Sequence, residues 1–402
     1  MKITSKVHPD SKSFILLIAL YTILPPLVID TYSPAIPNIA QYFGVNPSLI
    51  ISTFTTYFVG YALGLLVWGP TSDTFGRKKI LYIGVTLYII STIICSISIY
   101  FWQFSAARVL QGFGDSACTT VAFAIVRDCF EKKKLTKILA TIIMIFMVAP
   151  IIAPFIGLVI MNTTGEWQYI FHFLTLYGFV ILFFSFKMPE TVNRNNSTGL
   201  GHAFKQYLEH MRNLKFILLV LGSGIAYAAY FIFIGCSAVV YMKSFGTDKI
   251  EYVFLFAINA VAALLANYLL KKFCTKISNH IIITFSAFSG FLSSVIGFIL
   301  LYNFSHSILL FMIFMWLVTL SLAICITCLT SEALNSIKHS FGVGISISNA
   351  AQFIFAALTL LIISQLSYKT MGHSLFFIQA SLLIILLVII FTCLKIKFLY
   401  NK

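Results

Sequence analysis

The chain has 402 residues, of which 59% are hydrophobic and only 10% charged, and its net charge is +15. A soluble domain has roughly 25% charged residues in its whole composition, so this composition excludes a soluble fold of this length. The low contents of Pro, Gly and Cys (10, 22 and 8 residues) also exclude disordered, collagen-like and disulfide-rich secreted chains. The composition therefore predicts a membrane protein with many spans.

Twelve apolar segments are long enough to cross a bilayer, since a helix needs about 20 apolar residues to span roughly 30 Å of hydrocarbon. In chain order they cover residues 14–35, 48–68, 80–100, 103–125, 138–161, 168–187, 215–241, 250–270, 280–302, 306–330, 342–365 and 373–394. The period-2 alternation of a membrane barrel is absent, so we expect an all-α membrane protein with twelve transmembrane helices.

One polar stretch, residues 188–214, separates the sixth span from the seventh and is rich in Asn, Lys, Arg and His. We predict an N-terminal six-helix half over 1–187, a cytoplasmic linker over 188–214, and a C-terminal six-helix half over 215–402. Two pseudo-symmetric halves of this kind are typical of secondary carriers.

The basic residues are concentrated in alternate loops and at the two termini, which hold 23 of the 27 Lys and Arg. The opposite loops hold 3, and Arg108 alone lies within a span. Because cytoplasmic loops are enriched in Lys and Arg, this pattern places both termini in the cytoplasm. It does not favour nucleic-acid binding, which uses a basic cluster on one face or in a tail.

The segment from Gly69 to Lys79 joins the second and third spans. Gly69 and Gly76 permit a tight turn there, and Asp73 can cap or pair at a helix end. With Arg77, these residues form a G-x-x-x-D-x-x-G-R-K pattern that resembles the signature of the major facilitator superfamily. The resemblance implies a role for Asp73 in gating between conformations rather than in carrying protons.

Further segments resemble the proton-coupled drug exporters of that superfamily. Residues 30–37 look like a D-x-Y-x-P-A-x-P element, 108–112 like an R-x-x-Q-G motif, and 149–157 like the antiporter motif of span five. In the second half, residues 235–241, 245–246, 256–259 and 342–353 resemble the bicyclomycin-resistance (Bcr/CflA) type. The resemblance covers essentially the whole chain and implies a drug:proton antiporter.

The antiporter-motif segment contains Pro150, Pro154 and Gly157. The prolines interrupt the helical hydrogen-bond ladder, and the glycine allows close packing against another helix. Such positions serve either as pivots of a carrier or as purely structural features. Leu158 replaces the second Gly of the motif, which leaves symport open beside antiport.

Asp30 lies in the first span, where an ionised carboxylate costs several kcal/mol unless it is paired or faces water. It is either a proton carrier or a carboxylate at the outer end of the helix, and the family resemblance favours the first. Arg108 must also find a carboxylate, a carbonyl or cavity water. Asp115, two turns later on the same helix face, is either a second proton site or a group that only neutralises Arg108.

Aromatic and amide side chains within the spans are candidates for a substrate cavity. The candidates are Tyr32, Tyr57, Tyr61, Phe123, Tyr227, Tyr230, Gln352 and Phe353. Because the chain has 40 Phe, most rings must face lipid or pack in the core. For amides such as Gln352, interhelical hydrogen bonding is the usual role.

No metal-ligand spacing and no phosphate-binding loop occurs in the sequence, so we expect neither an enzyme nor a metal site or cofactor. The proton gradient would supply the energy. We expect a monomeric exporter of hydrophobic or amphipathic small molecules in the bacterial inner membrane, with substrate, protons and the bilayer as its partners. An exporter of an endogenous metabolite such as a siderophore, a proton symporter for uptake, and a non-transporting receptor or scaffold are the alternatives.

Overall fold

The computed structural model describes residues 12–130, 132–188, 190–191, 199–273, 277–304, 306–337, 341–367 and 370–400. Over these residues the regular structure is helical. The helices are α1 (Lys12–Asp30), α2 (Ile36–Phe43), α3 (Pro47–Ile50), α4 (Ser52–Phe75), α5 (Arg77–Ile97), α6 (Phe101–Cys129), α7 (Lys132–Thr164), α8 (Gln168–Ser185), α9 (Gly199–Met211), α10 (Leu214–Val239), α11 (Lys249–Phe273), α12 (Asn279–Asn303), α13 (Ile308–Asn335), α14 (Phe341–Ile363) and α15 (Met371–Tyr400). A 3₁₀ turn at Ser33–Ala35 precedes α2, and a π-helical turn at Val240–Ser244 extends α10.

Twelve helical segments within the described ranges are long and apolar enough to cross a membrane, which confirms the predicted fold class and span number. They are Ser13–Phe43, Pro47–Phe75, Arg77–Ile97, Phe101–Cys129, Met144–Thr164, Gln168–Ser185, Leu214–Ser244, Lys249–Lys272, Asn279–Asn303, Ile308–Asn335, Phe341–Ile363 and Met371–Cys393. The first two spans continue beyond their predicted ends at residues 35 and 68.

The first span is longer than predicted because its prolines begin new helical segments instead of ending the span. Pro34 and Pro37 are the second residues of the 3₁₀ turn and of α2, within the first turn, where a missing N–H group costs no helical hydrogen bond. The Ser33 hydroxyl donates to the Asp30 carbonyl at 2.7 Å and closes the bend. Asp30 consequently lies near the middle of the Ser13–Phe43 span, not at its outer end.

The turn between the second and third spans consists of one residue. The helix α4 continues to Phe75 and α5 begins at Arg77, so Gly76 alone reverses the chain. Its φ of +104° lies in a region that side-chain-bearing residues avoid. The turn role predicted for Gly69 is wrong, because Gly69 lies inside α4, where its carbonyl accepts the Ser72 hydroxyl at 2.8 Å.

The chain separates into two compact units, residues 1–44 with 56–206 and residues 45–55 with 207–402. In the first unit α5 packs on α6 and α8, and α1 packs on α7 and α6. In the second, α10 packs on α13, α14 and α15, and α12 packs on α13 and α15. The predicted linker 188–214 contains α9, while its residues 189 and 192–198 lie outside the described residues. The predicted division into two halves and a linker stays a prediction.

Candidate functional site

Arg108 lies on α6, is fully buried, and is held between two aromatic rings. Its guanidinium carbon is 4.8 Å from the ring centre of Tyr32 and 4.7 Å from that of Tyr57. Tyr32 follows α1 and Tyr57 lies on α4, so three segments of the first unit meet at this cation. A desolvated cation–π contact contributes about 2 kcal/mol, and Arg108 makes two of them.

The polar contacts of Arg108 are fewer than its burial would require. Nη1 donates to Oε1 of Gln111 at 2.5 Å, and Nε2 of Gln111 donates to Oγ1 of Thr92 on α5 at 2.8 Å. Nε and Nη2 have no acceptor among the described residues, and no described carboxylate pairs with the guanidinium. The direct Arg108–Asp115 pair that the sequence left open is therefore absent from the described part of the chain.

Asp115, also fully buried, is joined to Arg108 indirectly. The Tyr57 hydroxyl donates to Oδ2 of Asp115, while Oδ1 has no partner in the described ranges. Tyr57 thus contacts Arg108 with its ring and Asp115 with its hydroxyl. The two charged residues of α6 share one environment, as the helix periodicity predicted, and a tyrosine of α4 separates them.

Asp30 ends α1 and is 4% exposed. Neither a hydrogen bond nor an ion pair joins its carboxylate to another described residue, and the neighbouring Thr31 hydroxyl has no partner among these residues either. Asp30 does not contact Arg108, although Tyr32, two residues later, covers one face of that guanidinium. The structure therefore brings Arg108 and Asp115 together through Tyr57 and leaves Asp30 apart.

The antiporter-motif helix packs against the bend that follows Asp30. Pro150 and Pro154 lie inside α7, which continues through both. Gly157, one turn further, faces the backbone of Thr31 so closely that a Cβ atom there would overlap the Thr31 carbonyl oxygen. Close packing by Gly157 thus supports the segment that carries Asp30.

A second cluster of charged residues surrounds Arg77 at the start of α5. Its guanidinium pairs with Asp73 and with Asp128, the latter at 3.0 Å from Nε, and Nη1 donates to the Ser72 hydroxyl at 2.6 Å. The side chain of Arg77 is 4% exposed, that of Asp128 21% and that of Asp73 53%. Sequence reasoning placed Asp73 and Arg77 in one motif but missed Asp128, whose only signal was an acidic residue beside a basic loop.

Glu190 completes this cluster by capping α5. Its carboxylate accepts the backbone N–H groups of Arg77 at 3.0 Å and Lys78 at 3.2 Å. Gly76, at the N-cap position, has no side chain that could cap the helix. An acidic side chain at a helix N-terminus also interacts favourably with the helix dipole. Glu190 therefore ties the end of the sixth span to the start of the third.

The predicted substrate-cavity residues of the first unit have different surroundings. Tyr32 and Tyr57 are buried against Arg108. Tyr61 stacks on Tyr57 with ring centres 5.9 Å apart, and its hydroxyl donates to Thr119 at 3.0 Å. Phe123, further along α6, is 36% exposed.

The candidates of the second unit form a separate aromatic cluster around Phe231. The Tyr227 ring lies 4.5 Å from Phe231 and 5.3 Å from Phe353, and the Tyr230 ring lies 5.7 Å from Phe231. Gln352 donates to the Thr330 hydroxyl at 3.1 Å, which is the interhelical bond usual for a membrane amide. Tyr227, Tyr230 and Phe353 are partly exposed and remain candidates for substrate contact.

A cavity lies elsewhere in the second unit, between α11, α12 and α13. Its volume is about 460 Å³, and its walls are almost entirely apolar. None of the predicted site residues lines it. No cluster of His, Cys, Asp and Glu suited to a metal ion occurs among the residues that the structure describes.

The family model for the Major Facilitator Superfamily matches residues 18–360. The chain belongs to this superfamily. It is therefore a membrane transporter rather than an enzyme, and transporters of this superfamily bind small-molecule substrates within the membrane. The superfamily resemblance noted in the sequence is confirmed.

Similar proteins include a bicyclomycin resistance protein homolog of Haemophilus influenzae and the multidrug resistance protein MdtL of Escherichia coli. The first is 29% identical over 70% of this chain and 71% of its own length. The second is 29% identical over 61% of this chain and 62% of its own length. Among solved structures, a D-xylose–proton symporter superposes with a TM-score of 0.70 at 16% identity, covering 94% of this chain and 96% of the symporter. That likeness shows the fold.

Proposed function

We propose that this major facilitator protein is a proton-coupled exporter of hydrophobic or amphipathic small molecules. It acts in the bacterial inner membrane as a monomer with both termini in the cytoplasm, and the proton gradient drives it without a cofactor. The names of its bacterial relatives support the substrate class, and the asymmetric distribution of Lys and Arg supports the orientation.

The observation that carries the proposal is Asp30, a buried carboxyl group near the middle of a span with no described partner. Intramembrane ionisable residues are costly, and they commonly mark ion and proton pathways. A permanently paired carboxylate would be occupied by its cation. Asp30 is instead available to bind a proton or a substrate group.

In the proposed cycle, substrate binds from the cytoplasm while Asp30 is deprotonated. Protonation from the outside then displaces the substrate and favours the return of the carrier. Proton and substrate thus lower each other's affinity, as thermodynamic linkage requires of competing ligands. Asp115 is a second proton site in this scheme, and the described contacts connect it with Arg108 through Tyr57.

The test is transport by the full-length protein in proteoliposomes, with bicyclomycin and ethidium as probes and an imposed pH gradient. An antiporter accumulates the probe on the acidic side of the membrane, whereas a symporter accumulates it on the alkaline side. Accumulation on the alkaline side would refute export by antiport. Transport that is indifferent to the gradient would refute proton coupling altogether.

The Asp30→Asn variant tests the proposed proton site. We expect it to abolish accumulation driven by the pH gradient, while the detergent-purified variant still binds the probe. Glu166→Gln, which neutralises an exposed carboxylate in the loop between α7 and α8, is the control and should transport at the wild-type rate. Wild-type transport by Asp30→Asn across an imposed gradient would show that Asp30 is not the proton carrier.

A further inference from the structure

Tyr57 bridges two charged groups that cannot reach each other. Arg108 and Asp115 are seven residues apart on α6, a rise of about 10 Å along the helix. The Tyr57 ring lies 4.7 Å from the Arg108 guanidinium carbon, and the Tyr57 hydroxyl donates to Oδ2 of Asp115. All three side chains are fully buried, so no exposure to solvent weakens these contacts.

The strength of the Tyr57–Asp115 bond depends on the charge of Asp115. A hydrogen bond to an ionised carboxylate is roughly twice as strong as one between neutral groups. Oδ1 of Asp115 has no partner among the described residues and is therefore the oxygen that can take up a proton. Once a proton is bound there, Oδ2 holds the Tyr57 hydroxyl less strongly.

The position of Arg108 depends in turn on Tyr57. Gln111 is its one described hydrogen-bond acceptor, and Nε and Nη2 have none. The guanidinium is otherwise held by the rings of Tyr32 and Tyr57. A displacement of Tyr57 removes one of those two rings and frees the guanidinium to find a new partner.

We propose that Tyr57 is a positioning residue that transmits the protonation of Asp115 to Arg108 and thereby makes substrate affinity depend on pH. The proposal rests on proton-coupled transport, the proposed function. Titratable or charged groups near Asp115 on α4, α5, α6 and α8 are Tyr57, Tyr61, Tyr88, Arg108, Cys118 and Tyr177. The hydroxyls of Tyr61, Tyr88 and Tyr177 donate to Thr119, to the Leu174 carbonyl and to the Leu20 carbonyl respectively.

The test uses Tyr57→Phe, which removes the hydroxyl and keeps the ring over Arg108. Tyr88→Phe is the matched control, because Tyr88 is equally buried and donates to the Leu174 carbonyl at 3.2 Å. The dissociation constants of bicyclomycin and ethidium are measured at pH 6 and pH 8 with purified full-length protein. We expect at least about a fivefold ratio between the two pH values for wild type and Tyr88→Phe. For Tyr57→Phe and for Asp115→Asn the ratio should fall at least about twofold below that of wild type, and the pH dependence that remains belongs to Asp30.

If Tyr57→Phe had the wild-type ratio of dissociation constants at the two pH values, this proposal alone would be overturned. The same holds if Tyr88→Phe reduced that ratio as much as Tyr57→Phe does. A wild-type protein without any pH dependence would overturn the proposal together with proton coupling.

Thermal unfolding of the single and double variants gives a readout that needs no substrate. Tyr57→Phe should lower the unfolding midpoint in the wild-type background and lower it less in Asp115→Asn, because the amide oxygen of Asn still accepts the hydroxyl but carries no charge. Additive losses would contradict a role of Tyr57 that acts through Asp115.

Discussion

Removal of Asp128 should destabilise the protein more than removal of the motif residue Asp73, although both carboxylates pair with Arg77. Asp128 is 21% exposed and the Arg77 side chain 4%, so Asp128→Ala leaves a nearly buried cation without that acceptor. A hydrogen bond to a charged group contributes about 1.5–3 kcal/mol to stability. Asp73 is 53% exposed, water can replace it, and such a pair contributes about 0.2–1 kcal/mol.

Both residues lie in the last turn of their helices, where a negative charge opposes the helix dipole by about 0.3–1 kcal/mol. Each alanine variant removes this unfavourable interaction and regains that amount of stability. The net loss should therefore be about 1–2 kcal/mol for Asp128→Ala and close to zero for Asp73→Ala.

Equilibrium unfolding of the purified variants in mixed detergent micelles measures both values, and transport assays run in parallel. Asp73→Ala should reduce transport while its stability stays near that of wild type, because its predicted role is in gating. If Asp73→Ala lowered the free energy of unfolding as much as Asp128→Ala, or more, burial would not be what decides how much each carboxylate contributes.

Three further substitutions test the packing and charge of the first unit. Gly157→Val should cost about 1–3 kcal/mol of stability by overpacking against the Thr31 backbone, whereas Gly201→Ala, in open space on α9, should be neutral or stabilising. Thermal unfolding compares the two variants, and equal losses of stability would contradict the close packing. Gly76→Ala should cost about 1–3 kcal/mol because φ is +104°, and an unchanged unfolding midpoint would be inconsistent with that backbone. Arg108→Lys keeps the charge but not the planar group between two rings, so transport should fall at least about tenfold; wild-type transport would show that charge alone suffices.

The spans could be predicted from the sequence because their signal is local, a run of apolar residues longer than the hydrocarbon is thick. The end of the first span could not, since Pro34 and Pro37 normally mark the end of a helix. In the structure each occupies the first turn of a new helical segment, where proline is tolerated. Because a proline can either end a helix or begin a new helical segment, one of the two sequence-based interpretations placed Asp30 at the outer end of a helix.

The partners of the buried charges depend on tertiary packing, which periodicity does not report. The helical repeat correctly puts Asp115 on the Arg108 face of α6, but a separation of seven residues is about 10 Å, too far for a direct ion pair. The connecting residue, Tyr57, comes from α4, and no spacing within α6 points to it. Asp128 was missed for the same reason, because its partner Arg77 lies 51 residues away in the chain.

The incomplete pairing of the intramembrane charges bears directly on coupling. Two guanidinium nitrogens of Arg108, Nε and Nη2, have no described acceptor, and the Asp30 carboxylate has no described donor or ion-pair partner. Isolated charges in a membrane interior are costly, so each gains stability from whatever partner reaches it. A fixed Asp30–Arg108 ion pair would satisfy both groups permanently and leave a proton nothing to change. Because this pair is not formed, a proton or a substrate can supply the missing partner and so shift the balance between conformations. Coupling requires that the ligand bind one conformation more tightly than the other in this way.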